Sequence, residues 1–269
     1  MKIIDPHIHC VSRTTDDYLY MARSGVVAVS EPAFWAGFDR TSADSFYDYF
    51  RHLADVEPKR AARYGIQHFS WVCVNAKEAD NVELSREVIR LLPEFLDRPT
   101  VLGIGEIGLN KNTPNEIAIF EEQVDLAAKT NQLILIHTPH LADKHKGTSI
   151  IVDILKNDRR IQPERVLIDH CEEHTIRLAR ENGFWAGLTI YPVSKVTPQR
   201  GADLLEQFGP EMIMVNSAAD WGESNPSTLT DTLLEYRRRG HDERECREIF
   251  YNNPCRFFGQ SPKWTLKPE

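Results

Sequence analysis

Short runs of apolar residues alternate with longer amphipathic stretches along most of this chain. The apolar runs are rich in valine, isoleucine and leucine, and several lack the polar alternation of a half-exposed strand. That pattern is typical of strands buried on both faces of a parallel sheet. We therefore predict eight strands, over residues 2–7, 26–30, 66–74, 101–106, 133–137, 166–170, 184–190 and 212–216.

Amphipathic stretches separate these strands and predict a helix after each of them. The predicted helices cover residues 16–23, 44–54, 81–92, 115–130, 149–157, 173–181, 201–208 and 227–239, and one more covers 242–251. Pro114 precedes the fourth helix, and proline is well tolerated where a helix begins. The last segment, 261–269, holds two prolines and is expected on the surface or packed beneath the sheet.

Eight strand–helix units predict a single (β/α)8 TIM barrel of the α/β class, a fold that typically needs about 250 residues. A doubly wound sheet is the alternative. We favour the barrel because polar residues stand at the carboxyl end of one strand after another. No linker, charge block or internal repeat divides the chain, so we expect one domain over residues 1–269.

Composition excludes several classes of protein. The chain has 32 Lys and Arg against 40 Asp and Glu, a formal net charge of −8, and this balance disfavours general binding to phosphate backbones. It has no apolar run of about 18 residues, so we expect no membrane span. The start, MKIIDPHIHC, lacks the apolar stretch of a signal peptide. Five cysteines without a CxxC pair indicate reduced thiols, and we expect a cytoplasmic protein.

The clearest chemical signal directly follows the first predicted strand. His7 and His9 are two residues apart, so on an extended segment they share a face and could together hold one divalent metal ion. Taken alone the pair is a weak signal, because many such histidines lie on the surface or are satisfied by hydrogen bonds. Its position at a strand end strengthens the metal interpretation.

Four other predicted strands end at, or are followed by, another residue that can bind a metal ion. These are Glu106 within the segment GIGEIGLN, His137, His170 and Asp220. Each alone could be a helix cap, an ion-pair partner or a histidine bonded to the backbone. In a closed barrel all four would meet the two histidines on one face. A buried cluster of this kind is costly without a metal ion to neutralise it.

Together these motifs resemble the amidohydrolase superfamily, and the GEIGL segment resembles its TatD-related branch. The resemblance runs from about residue 2 to residue 221 and implies a (β/α)8 barrel with one or two divalent ions. It implies that Glu106 bridges two ions and that Asp220 both approaches an ion and accepts the proton of the attacking water. The implied metal ligands are His7, His9, Glu106, His137, His170 and Asp220. Mixed histidine and carboxylate ligation suits zinc, manganese or iron(II).

The chain departs from the usual TatD nuclease pattern at three places. Asn110 follows GEIGL where the nucleases usually have aspartate, and Asn75-Ala76 follows the third strand in place of His-Pro. The eighth strand ends in Asn216-Ser217-Ala218 in place of Glu-Thr-Asp, and Asp220 comes four residues after Asn216. The resemblance therefore implies a retained metal core with altered groups around the substrate.

We accordingly expect a metal-dependent hydrolase whose substrate is a small-molecule phosphoester, ester, lactone or amide. One alternative is a TatD-like 3′–5′ DNA exonuclease, which basic residues around the mouth would favour, whereas a mouth lined by tryptophan would favour a small molecule. The other is a non-catalytic barrel that holds metal and serves as a partner in a pathway. The sequence leaves the oligomeric state open.

Three more residues are expected to contact the substrate. Glu31 follows the second predicted strand, Asn75 the third and Trp221 the eighth. A salt bridge within a loop is an equally good interpretation of Glu31, and packing in the core is an equally good one of Trp221.

Overall fold

A computed structural model describes residues 1–140 and 143–269. Eight parallel strands follow one another around a single sheet in sequence order, as expected for a (β/α)8 barrel. The prediction of that fold is confirmed. The strands are β1 (Ile3–Asp5), β2 (Val26–Glu31), β3 (Gln67–Val72), β4 (Val101–Gly108), β5 (Leu133–His137), β6 (Val166–Ile168), β7 (Trp185–Thr189) and β8 (Ile213–Asn216).

Helices alternate with these strands along the chain. They are α1 (Thr15–Arg23), α2 (Ala43–Arg51), α3 (Glu57–Ala62), α4 (Val82–Leu96), α5 (Pro114–Thr130), α6 (Lys144–Asn157), α7 (Glu173–Glu181), α8 (Pro198–Phe208), α9 (Thr228–Arg238), α10 (Glu243–Arg247) and α11 (Asn253–Phe258). Among the described residues, no helix is both long enough and apolar enough to cross a bilayer.

The barrel closes through the segments that follow its first and last strands. The amide of Ala218 donates a hydrogen bond of 2.7 Å to the carbonyl of His7, and the amide of His9 donates one of 2.9 Å to the carbonyl of Ala219. These backbone bonds bring the two ends of the sheet together at the carboxyl ends of the strands. The sequence motifs of β1 and β8 therefore become neighbours although about 210 residues separate them.

Two predicted helices continue further than expected. The helix predicted over 44–54 runs through a wider turn, His52–Val56, into α3, and the one predicted over 242–251 runs through Glu248–Asn252 into α11. Both continuations have proline in their first turn, Pro58 and Pro254, directly after the wider turn. Helix α4 likewise continues past its predicted end and contains Pro93.

The start of α6 also differs from the prediction. We expected a polar loop over 138–147 and a helix from residue 149. The helix instead begins at Lys144, because the Asp143 side chain caps it by accepting a hydrogen bond from the amide of Lys146. Residues 141–142 of the expected loop lie outside the described residues.

Apolar side chains fill the lower part of the barrel. Leu133 and Leu135 of β5 belong to this inner cluster, whereas Ile134 and Ile136 face the helices. The chain after β8 covers the bottom: Trp264 is buried, with its ring 4.5 Å from Phe69 and 4.8 Å from Phe258, measured between centroids. The terminal segment thus packs beneath the sheet, and polar residues are left at the carboxyl ends of the strands.

Candidate metal centre

Strand alternation places a layer of polar side chains directly above the apolar inner cluster. Leu135, Leu167, Trp185 and Met214 point into the barrel. Two positions further along these strands come His137, Asp169, Gly187 and Asn216, which by the same alternation also point inward. The site is therefore built on rigid strand ends.

The two histidines after β1 face each other and Glu106. The Nε2 atoms of His7 and His9 are 3.0 Å apart, and His7 Nε2 is 3.9 Å from Glu106 Oε1. Their ligand atoms form one compact group with all distances within 4.8 Å. Phe34 stacks on the His9 ring at 3.9 Å between centroids and so supports its orientation.

A second group of ligand atoms uses the other oxygen of the same carboxylate. Glu106 Oε2 is 2.6 Å from His137 Nδ1 and 2.8 Å from His170 Nε2. Glu106 therefore belongs to both groups, which is the arrangement that the resemblance implied for a bridging ligand. His170 turns toward this group because its backbone adopts a left-handed conformation, with φ of 57°.

Asp169 is a site residue that the sequence interpretation missed. It is completely buried and forms a very short hydrogen bond with His7 Nδ1, so it fixes the orientation of that ring and leaves Nε2 facing Glu106. The amide group of Asn216 donates to Asp169 Oδ1 at 2.8 Å. Burial would raise the pKa of Asp169, but His170, His7 and these hydrogen bonds hold it well below its usual range. Its inward position could have been found from Leu167, two residues earlier on the same face.

The chemistry of these donors fits a divalent cation. Burial holds the pKa of His9 and of His170 well below the usual value, so both rings are neutral. Burial alone would raise the pKa of Glu106, but the neighbouring His137 and His7 outweigh that effect and keep it well below its usual range. The Nε2 atoms of His7 and His9 are 3.0 Å apart, close to the ~3.3 Å expected between two nitrogen ligands of one tetrahedral ion. The residues present thus supply both the charge and the lone pairs that a divalent ion needs.

Asp220 lies in a different part of the site from the other predicted ligands. Its Oδ1 accepts hydrogen bonds from the Tyr191 hydroxyl at 3.0 Å and from the Gly222 amide at 2.8 Å. Its carboxylate belongs to none of the compact ligand groups found among the described residues. The structure therefore brings together five of the six predicted ligands and leaves Asp220 on the wall above them. The reason is its position in the loop, beyond Ala218, rather than at the strand end.

A narrow cavity opens above the metal ligands, and we call it the barrel-mouth cavity. It has a volume of about 60 Å³, enough for a few water molecules or a small polar group. Its lining consists of His9, Phe34, Trp35, Asn75, Lys77, Glu106, His137, His170, Lys195, Ala218, Asp220 and Trp221.

Two of the three residues expected to contact substrate line this cavity, and the third does not. Asn75 donates a hydrogen bond of 3.2 Å to Glu106 Oε1, and Trp221 stands at the rim with 54% of its surface exposed. Glu31 is completely buried behind the wall, where it accepts hydrogen bonds from His68 Nε2 at 2.6 Å and from the Val11 amide at 2.8 Å. It forms a buried polar pair within the barrel wall and is not part of the cavity lining.

Lys77 and Lys195 are cavity residues that the sequence interpretation did not identify. Burial lowers the pKa of Lys195, and the carboxylates of Glu106 and Asp169 oppose that shift. Both lysines lie in the loops after β3 and β7 rather than at the strand ends, so the strand-end rule that found the histidines did not point to them.

Replacing either histidine of the second group should reduce metal binding. We expect His137→Ala and His170→Ala each to lower the metal-to-protein ratio of the purified protein, because each variant removes one nitrogen ligand next to Glu106. Elemental analysis measures this ratio, and His174→Ala, an exposed histidine of α7, is the control that should retain all of its metal. An undiminished ratio in both site variants would contradict the arrangement described above.

This chain is similar in sequence to a known protein family and to a curated relative. A family profile described as TatD related DNase matches residues 4–259. The chain is 29% identical to an uncharacterized metal-dependent hydrolase of Methanocaldococcus jannaschii, over 95% of this chain and 99% of that protein.

Solved structures are similar at the level of the fold. A TatD-like protein from Archaeoglobus fulgidus superposes with a TM-score of 0.77 at 23% identity, covering 95% of this chain and 99% of that one. An organophosphorus hydrolase from Deinococcus radiodurans superposes with a TM-score of 0.67 at 15% identity, covering 96% and 93%. The barrel fold of this chain is thus shared with the TatD-like protein and with an organophosphorus hydrolase.

Proposed function

We propose that this chain, which belongs to the TatD-related DNase family and is a metal-dependent hydrolase, cleaves an ester, lactone, phosphoester or amide bond in a small molecule. The observation that carries this proposal is the shape and chemistry of the barrel-mouth cavity. Its floor is narrow, and its rim holds Trp35 and Trp221, whose rings lie 6.0 Å apart between centroids. An aromatic rim of this kind suits the apolar part of a small substrate.

We assign the metal ligands to His7, His9, Glu106, His137 and His170. One or two ions fit this set, and zinc, manganese and iron(II) remain the candidates because all three accept histidine and carboxylate ligands. A divalent ion held by these residues would lower the pKa of a bound water molecule and would polarise the oxygen of the scissile group. Asp169 orients His7, and the Asn75 amide holds one oxygen of Glu106 in place.

We assign the proton-accepting role to Asp220. Glu106 and Asp220 are the carboxylates among the described residues that line the cavity, and Glu106 is already engaged by three histidines and Asn75. Asp220 is held at the wall by Tyr191 and Gly222 through one oxygen, Oδ1. This leaves a positioned carboxylate oxygen for the proton of the attacking water.

DNA is the alternative substrate, and the two lysines in the cavity are the observation that favours it. Binding of a DNA strand depends on cations placed along a run of phosphates. Here Lys77 and Lys195 are the cations in the described lining, and the chain carries a net charge of −8. The narrow floor and aromatic rim therefore favour the small molecule.

A side-by-side assay with added manganese tests this choice. We expect slow digestion of a single-stranded DNA oligonucleotide and faster hydrolysis of at least one compound in a set of 4-nitrophenyl esters, 4-nitrophenyl phosphates and lactones. Metal-free protein, prepared by chelation, is the control and should hydrolyse neither class. Rapid, processive shortening of DNA would instead establish the nuclease function, and inactivity toward every class with metal bound would favour a non-catalytic partner.

We propose further that residues 1–269 form one domain and that the protein works in the cytoplasm. The first proposal is supported by the single sheet to which all eight strands contribute. The second is supported by the five cysteines, which are all free and buried, as in proteins of reducing compartments.

A further inference from the structure

Two lysine side chains of the barrel-mouth cavity have no partner of opposite charge among the described residues. Lys77 and Lys195 are both half-buried. Within the part of the chain that the structure describes, neither Nζ donates a hydrogen bond or pairs with a carboxylate. Lys111 and Lys129, in contrast, lie outside the cavity and pair with Asp80 at 3.2 Å and with Asp125 at 2.6 Å.

Aromatic rings hold both ammonium groups at the cavity wall. Lys77 Nζ lies 4.9 Å from the centre of the Trp35 ring, and Lys195 Nζ lies 5.0 Å from the centre of the Tyr191 ring. Such contacts attract a cation weakly but neither neutralise its charge nor use its N–H donors. Both lysines therefore keep donors available for a ligand in the cavity, and a half-buried charge with free donors is stabilised when an anion binds.

Both lysines act on the same part of the metal centre. Both line the barrel-mouth cavity together with Glu106, His137 and His170. The two ammonium groups, on loops after β3 and β7, thus both lie within electrostatic reach of one metal ligand. With a divalent ion bound, the cavity floor becomes still more positive.

We propose that Lys77 and Lys195 form an oxyanion-binding subsite, and that the substrate carries a carboxylate or phosphate group separate from the bond that is cleaved. This inference rests on the proposed function, because it specifies which small molecules the hydrolase accepts. The aromatic rim would contact the carbon chain between the two groups. The negative charge of the whole chain disfavours long polyanions, so the ligand is a small acid rather than a nucleic acid strand.

Two esters that differ by a single carboxylate test this subsite. Mono(4-nitrophenyl) glutarate is 4-nitrophenyl butyrate with a carboxylate on its terminal carbon. We expect the metal-loaded enzyme to have a higher kcat/KM for the glutarate ester, with most of the difference in KM. In Lys77→Met and Lys195→Met, the ratio of the two kcat/KM values should fall by about 10- to 100-fold, as expected for the loss of a charge-assisted hydrogen bond.

Two further variants separate this role from a structural one. Lys77→Arg retains a cation and should recover most of the preference for the anionic ester. Lys129→Met removes the same charge from the exposed end of α5, outside the cavity, and should leave the preference unchanged. If Lys129→Met lowered the ratio as strongly as the two cavity variants, net charge would explain the effect and the subsite would be rejected.

A binding measurement keeps this inference separate from the proposed function. Isothermal titration of the metal-loaded protein with glutarate and with inorganic phosphate shows which oxyanion the subsite prefers. Weaker binding of either probe in both cavity variants would support the subsite even if no ester were hydrolysed, and the small-molecule hydrolase alone would then fail. Unchanged binding of both probes together with an unchanged ester ratio would overturn the subsite. Lysine-dependent binding of a DNA oligonucleotide, without binding of either small anion, would also overturn it.

Discussion

Glu106→Gln should lose metal and activity together. Glu106 is the carboxylate common to both groups of ligand atoms, and the amide keeps its size while removing its charge. Removing one partner from a buried ionic interaction costs about 3–5 kcal/mol, which corresponds to roughly 10²–10⁴ in affinity for the metal ion. We expect a metal-to-protein ratio near zero after dialysis and a loss of kcat/KM at least as large as the loss of affinity. Elemental analysis and assays at increasing metal concentration measure the two effects.

Glu31→Gln is the matched control for this experiment. Glu31 is also a buried carboxylate hydrogen-bonded to a histidine, His68, in the same barrel, but it lies outside the barrel-mouth cavity. Its replacement should leave the metal content of the folded protein unchanged. A Glu106→Gln protein with its full complement of metal would refute the bridging role, and equal metal loss in both variants would indicate a general effect on folding.

The strands could be predicted because burial on both faces imposes a continuous apolar composition. Residues 133–137 illustrate this, because four apolar residues end at His137 and β5 has the same bounds. Short helices that continue an earlier one were harder to predict. Pro58 and Pro254 look like helix breakers in the sequence, but in the structure they occupy first turns, where proline is compatible with a helix.

The candidate site could be predicted where a ligand ends an apolar strand. His137 and Glu106 are of this type, and the structure brings them together with His7, His9 and His170. Asp169 was not predicted because the next residue, His170, is itself a typical metal ligand. Only the inward direction of Leu167 shows that Asp169 points into the barrel. Lys77, Lys195 and Asp220 lie in loops, where no periodicity fixes the direction of a side chain.

Asp220→Asn should separate catalysis from metal binding. The asparagine oxygen can still accept the hydrogen bonds that Tyr191 and the Gly222 amide donate to Asp220 Oδ1, so the loop should keep its conformation. It cannot accept a proton, and general-base catalysis typically contributes about 10²–10⁴ in rate. Since the carboxylate lies outside the compact ligand groups, we expect kcat to fall by that factor while the metal-to-protein ratio and KM change little.

The pH dependence and a control variant complete this test. The acidic limb of the kcat profile, where protonation of the base slows the reaction, should flatten in Asp220→Asn. Asp203→Asn, an exposed carboxylate of α8 paired with Arg239, should retain both the rate and the profile. Near-normal turnover of Asp220→Asn would show that Asp220 only stabilises its loop. The base would then lie at neither Asp220 nor Glu31, because Glu31 is buried behind the cavity wall and hydrogen-bonded to His68 and the Val11 amide.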